Sequence, residues 1–432
     1  MPYFTNVVDG ATIKTQQYTL RRKKGFIMNH DITNEVLTEF STAFSSNPVN
    51  RIAMNAVTSA GLLAASKNPM AQRESRHSYS ISLEQGEITN QKQSGRCWMF
   101  AALNTFRFEV IKNLNLKTFE LSQNYTLFYD KLEKSNYFLE SILETLDEPT
   151  QGRLISFLLS APLGDGGQWD MLCNLVRKYG VVPKEAMPET VSSSATREMT
   201  AALTRKLRED ACRLRKAYAD GSTLDELRAK KESMMEEIYR VLCICLGEPP
   251  KTFDLEVTDK DDKFIRDTNL TGTAFFEKYV GLNLDDYVSL INAPTADKPY
   301  HRSYSVKFLG NVKEGCPVRY LNLPIEELKK AAIAQMKDGS PVWFGCDVGK
   351  DSSRDEGLLD TNTYQTDKLL GVTFGMNKAE RLEYGESLMT HAMVFQGVNL
   401  DEEGKPNRWR VENSWGDAPG KKGYYVMSDE WF

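Results

Sequence analysis

Strand-like segments crowd toward the C-terminal end of this chain, and the residues before them read almost entirely as helix. "SPVWFGCDVG" (340–349), "HAMVFQGVNL" (391–400), "RWRVENSW" (408–415) and "GYYVMS" (423–428) are short, apolar or aromatic, and bounded by turn residues. Upstream, Met99, Leu103, Phe106 and Val110 fall at helical spacing within 97–113, and 121–146 is a second helical stretch rich in aromatics. The Gly-rich "LGDGGQWD" feeds a helix that stops at Gly180 and Pro183, and 196–246 reads as a charged helix hairpin broken by "YADGSTL". Near the N-terminus, Ile32, Val36 and Phe40 define one helical face, and Asn47-Pro48 marks a turn. This segregation predicts an α+β protein with two lobes: a helical lobe over 31–250 that includes the 196–246 insertion, and a strand-rich lobe over 251–432. Residues 1–27, with the basic run "RRKK", read as a solvated extension, and Met28 as a natural start of the folded unit.

At 432 residues the chain can bury a large core. Its net charge of −5 argues against an obligate nucleic-acid partner. No apolar run approaches the roughly 18–20 residues a membrane span needs, and no N-terminal signal core is visible, so a cytoplasmic location is expected. Seven cysteines, an odd number without CxxC spacing, are expected to be reduced thiols, most of them buried filler. Only four histidines are present, which leaves no basis for a multi-histidine metal centre.

One cysteine stands apart. In "QKQSGRCW", Cys97 follows a Gly-containing turn and opens the first turn of a helix. Unpaired N–H groups and partial positive charge there favour a thiolate, which is the nucleophilic form. Position alone is weak without a base. His30, His77 and His301 lie in polar or turn-rich surroundings and read as solvated or locally bonded. His391 opens an apolar strand; taken alone, it reads as a core histidine as readily as a catalyst. The next strand shifts the balance. A hairpin through "DEEGKPN" brings Asn413 of "VENSWG" beside His391, where its carbonyl can fix the imidazole tautomer and Trp415 can shield that bond. Across the Gly95 turn, the Gln91 side-chain amide can reach the place above Cys97 where an oxyanion would form.

These residues resemble a known family. "QKQSGRCW", "GDGGQWD", "THAM" and "VENSWG", together with "LSQNYTLFYDKLEKSNYFLE" and "KKGYYVMSDEWF", are similar to the papain-like cysteine peptidases, in the bleomycin hydrolase and aminopeptidase C branch. The similarity runs from about residue 31 to the end. It implies a two-lobed papain-like fold with large helical insertions. It also implies Cys97 as nucleophile, His391 as general acid/base, Asn413 as its orienter and Gln91 in the oxyanion hole. Gly166 and Gly167 match a glycine pair whose backbone lines the substrate cleft, beside Trp415; without the resemblance they read simply as a turn before a helix. The resemblance implies peptide substrates, no metal or organic cofactor, and a homohexamer. Gln93 stands where family members usually carry a small residue. The sequence also stops at Trp431-Phe432, short of the family's C-terminal arm, which leaves an aminopeptidase and an open-cleft endopeptidase both open. A non-enzymatic nucleic-acid-binding scaffold is the remote alternative.

Overall fold

The structure, a computed structural model, describes residues 31–83 and 86–432. The expectations for 1–27, Met28 and His30 lie outside the described residues. Among the described residues, 31–65 separate from Ser66–Phe432 as a unit of their own. Within that unit, Asn34–Ser46 is capped by the Thr33 hydroxyl, and Pro48–Ala60 by the Asn47 side chain with proline at the first helical position. Neither helix contains a buried residue, and Ile32 and Phe40 are exposed. The expected core face of this segment is therefore exposed.

In the larger unit the helix Cys97–Asn113 is apolar on nearly all sides and buried from Trp98 through Arg107. A helix hydrophobic all round belongs in an interior. It packs with Gln123–Leu143, whose start is capped by Ser122, and with Trp169–Tyr179. The latter stops at Gly180, at φ +69°, where a Cβ would fall 1.9 Å from the Gly272 carbonyl carbon, so only glycine fits. The charged hairpin is present as Arg197–Ala219 and Leu224–Leu246, the second opened by a Thr223/Glu226 capping box. Leu203, Leu207 and Leu214 on one helix, and Leu227, Ile238 and Leu242 on the other, join the same core; most of the charges face outward, but Asp210 is buried beside Lys206 at 3.1 Å.

The C-terminal strands form a mainly antiparallel seven-stranded sheet. His391–Leu400 pairs with Pro406–Glu412 on one side and with Val342–Cys346 on the other; Tyr424–Ser428 follows next to Pro406–Glu412. Successive side chains of a strand point to opposite faces. Ala392 and Val394 join the helical core, while Met393 and Phe395 join a second core with Trp409, Tyr425 and Met336. The strand is thus buried on both faces, which accounts for its unbroken apolar run.

The division at 250 and 251 does not follow the packing. The hairpin Phe253–Thr258/Phe264–Leu270 puts Phe253, Leu255 and Leu270 into the helical core, joined by Phe275, which stacks on Phe119 at 6.1 Å. The alternation of apolar residues buries one face of this hairpin, and the apolar surface available to it is helical.

A buried ion pair joins the two cores. Arg107 of the central helix meets Glu412 of Pro406–Glu412 at 2.7 Å, and both residues are 1% exposed. Arg107 also donates to the Glu87 carbonyl at 2.7 Å, and Gln396 donates to the other Glu412 oxygen. Arg107→Met strands a buried carboxylate and is expected to cost about 3–5 kcal/mol. Urea unfolding measures this, and a loss below about 1 kcal/mol would show that the pair is dispensable.

Candidate active site

The turn before Cys97 is held by its own side chains. Gln91 Nε2 donates to the Ser94 carbonyl at 2.7 Å, Ser94 Oγ donates back to the Gln91 carbonyl at 2.6 Å, and Arg96 Nε donates to Ser94 Oγ at 2.9 Å. Arg96 then pairs with both oxygens of Glu189, at 2.8 and 2.7 Å. A buried guanidinium doubly bonded in this way is a rigid anchor. Cys97 emerges as the first residue of its helix, where Arg96 gives no side-chain cap and the first amides stay available. Gln91 N–H donates to the Ser414 carbonyl at 2.9 Å, and Gly416 N–H to the Thr89 carbonyl at 3.0 Å. The stretch carrying Gln91 is thus laced to the loop carrying Asn413 and Trp415.

The hairpin register sets Val394 opposite Glu412, so the two chains run on to bring His391 beside Asn413. His391 Nε2 lies 2.9 Å from Asn413 Oδ1, which also accepts from Ser414 N–H at 2.8 Å. Because Asn413 Oδ1 can only accept, Nε2 carries the hydrogen and Nδ1 is left basic. Trp415 lies against the imidazole, with ring centroids 4.7 Å apart. His391 and Asn413 are both buried.

Burial lowers the His391 pKa below its ordinary value; the bond to Asn413 opposes this, and the charge of Arg354 adds to it. Burial raises the Cys97 thiol, and the amides of Ala392, Trp98 and Cys97 itself pull it partly back. The helix terminus alone therefore does not make Cys97 a thiolate.

The glycine turn is fastened from beneath. Asp165 accepts from Gly95 N–H at 2.9 Å and Lys131 Nζ at 2.6 Å, and from Thr196 Oγ1 at 2.5 Å. Burial pushes its carboxyl up, but Lys131 and these hydrogen bonds outweigh that and hold it well below the usual carboxylate range. Lys134 donates to the Gly166 carbonyl at 2.7 Å, and Trp98 Nε1 to the Asp165 carbonyl at 2.7 Å. The two glycines then differ. A Cβ on Gly166 meets nothing within 4 Å, whereas one on Gly167 would lie 2.7 Å from the Trp98 ring.

Sequence reasoning missed Asp165, Lys131 and Lys134. The only signal was the i,i+3 lysine pair in "YDKLEK", which resembles any solvated helical face. Of the other histidines, His77 is lowered by burial and by Lys421 and Arg410, and the His301 side chain is exposed, 3.8 Å from Glu327. Among the described residues no group of three or more His, Cys, Asp or Glu is placed to hold a metal ion, and no helix is long and apolar enough to cross a membrane.

Known proteins share this arrangement of chain. Residues 31–432 match the peptidase C1-like family. Aminopeptidase C of Streptococcus thermophilus is 53% identical over 377 residues, covering 87% of this chain and 85% of that protein. Bleomycin hydrolase of Homo sapiens is 44% identical over 410 residues, covering 93% and 90%. The crystal structure of pepW from Lactobacillus rhamnosis HN001 superposes with a TM-score of 0.92 at 52% identity, covering 93% of this chain and 90% of that one. Fold and relatives together define a papain-like α+β cysteine peptidase. The chain belongs to the peptidase C1-like family, among relatives named aminopeptidase C and bleomycin hydrolase.

Two outcomes follow for stability. Gly167→Ala is expected to cost about 1–3 kcal/mol through the clash with Trp98. Gly166→Ala should stay within about 0.5 kcal/mol of the wild type. Equal losses in thermal melts would contradict the asymmetry. Because the folded Cys97 thiol titrates above its ordinary value of 9.0, its contribution is complete below pH 9.0 and is lost as pH rises through the folded value. The fall in Tm above pH 9 should therefore be shallower in Cys97→Ala than in the wild type.

Proposed function

We propose that this chain is a cysteine aminopeptidase that removes N-terminal residues from peptides through a thioester acyl-enzyme. His391 Nδ1 takes the Cys97 proton, and the thiolate attacks the carbonyl carbon of the first peptide bond. As the tetrahedral oxyanion forms, the Cys97 backbone N–H and the free hydrogen of the Gln91 amide donate to it; that charge is absent in the ground state, so the donors act on the transition state. The imidazolium then protonates the leaving amine and the C–N bond breaks. Water, deprotonated by His391, hydrolyses the thioester and regenerates the thiol. Asn413 keeps Nε2 protonated throughout, Trp415 covers that bond, and the backbone at Gly166 and Gly167 borders the extended substrate.

The observation that carries this reading is the 2.9 Å bond from His391 Nε2 to Asn413 Oδ1, which frees Nδ1 as the base. The aminopeptidase activity itself rests on relatives named aminopeptidase C at 53% and 47% identity. No step calls for a metal or organic cofactor. The same reading places the protein in the cytoplasm as a homohexamer; light scattering on the purified chain tests the assembly.

Fluorogenic aminoacyl amides, free and N-acetylated, test the reaction under reducing conditions. The free amine substrate should be cleaved, the acetylated one spared, and Cys97→Ala should abolish turnover with its circular dichroism unchanged. Gln91→Ala should lower kcat by about 10²–10³. Full activity in Cys97→Ala would overturn the mechanism, and equal cleavage of both amides would replace the aminopeptidase with an endopeptidase.

A further inference from the structure

Arg354 takes part in no proton transfer above, yet its charge already bears on His391. It follows the short strand Ser352–Ser353, and its carbonyl accepts from Tyr425 Oη at 3.0 Å and from Gly357 N–H at 3.2 Å, which fixes its backbone. Its guanidinium carbon sits 4.6 Å from the centroid of the Trp415 ring, the same ring that lies 4.7 Å from His391. The residue is solvent-exposed, and its guanidinium makes no hydrogen bond or ion pair among the described residues. Most exposed arginines are either paired or free to swing. This one lies over an aromatic face with its N–H donors unspent, an arrangement that costs little further ordering when an anion arrives.

The side of the site follows from the chemistry. His391 must hand its proton to the leaving amine, so the departing half of the substrate lies on the His391 side of Cys97. Trp415 borders that side, and Arg354 lies within two ring-stacking distances of the imidazole. An extended chain advances about 3.3–3.6 Å per residue, so a leaving group of one or two residues ends within reach of the guanidinium. A planar guanidinium suits a carboxylate through paired N–H donors.

We propose that Arg354 receives the C-terminal carboxylate of short peptides, making substrates with one- or two-residue leaving groups the preferred class. The inference rests on the acyl-transfer reading above. The test compares Ala-Ala-Ala with its C-terminal amide, both with free N-termini, on the wild type, Arg354→Met and Arg354→Lys. The wild type should favour the free acid in kcat/KM by about tenfold, the low end of a charge-assisted bond at an exposed site. That ratio should fall to about one in Arg354→Met, recover in part in Arg354→Lys, and shrink with added salt. A wild-type ratio near one would overturn the proposal alone. So would an equal loss on both substrates in Arg354→Met, which would mean that Arg354 acts only by bracing Trp415. If the wild type cleaves neither peptide, the aminopeptidase reading falls and takes this proposal with it.

Discussion

Cys97 and His391, the proposed nucleophile and base, sit on elements that meet only through packing, and one buried ion pair ties those elements together. Arg107 lies ten residues beyond Cys97 on the same helix, and Glu412 immediately precedes Asn413. Their bond at 2.7 Å therefore ties the Cys97 helix to the strand that leads into Asn413. A shift of one residue in that strand would exchange its two faces and move Asn413 away from His391. A buried charge pair is a poor source of net stability but a strong selector of register, because any misaligned packing leaves a charge alone in the interior. Gln396, which donates to the other Glu412 oxygen from the neighbouring strand, extends the same constraint to the hairpin.

A second web of charge holds the turn at Gly166 and Gly167. Asp165 is bonded at once to the nucleophile turn through Gly95, to a buried helix through Lys131, and to the helical insertion through Thr196. The turn through the glycines that follow is fixed by Lys134 and Trp98, which hold the Gly166 and Asp165 carbonyls. The charged hairpin, which by composition is a solvated pair of helices, thereby reaches the cleft through its first turn.

What could be read in advance was local. The start of a helix at Cys97, the strand at 391–400 and its hairpin to Asn413 depend on periodicity and turn chemistry within a few residues, and they stand as expected. What could not be read was non-local. Phe253 and Leu255 alternate as in any half-buried strand, and nothing near them says that the surface they cover is helical. Ile32 and Phe40 share a helical face but remain exposed, since a face becomes a core only when something covers it. Lys131 looks like surface charge until the fold closes over it and sets it against Asp165. The thiol pKa is of the same kind: a helix start is visible in the residues, and the burial that opposes it is not.

The strand His391–Leu400 is a wall shared by two interiors. Backbone amides exchange with solvent only when their surroundings open, and units open together when they share contacts. A strand lodged between two cores cannot be exposed by loosening either one, so its central amides exchange only when both give way. The proposed base, His391, opens this doubly covered strand, whereas the turn at Gly166 and Gly167 is held mainly by side chains. Adaptation to different substrates is left to that turn, and the proton-transfer geometry is insulated from it.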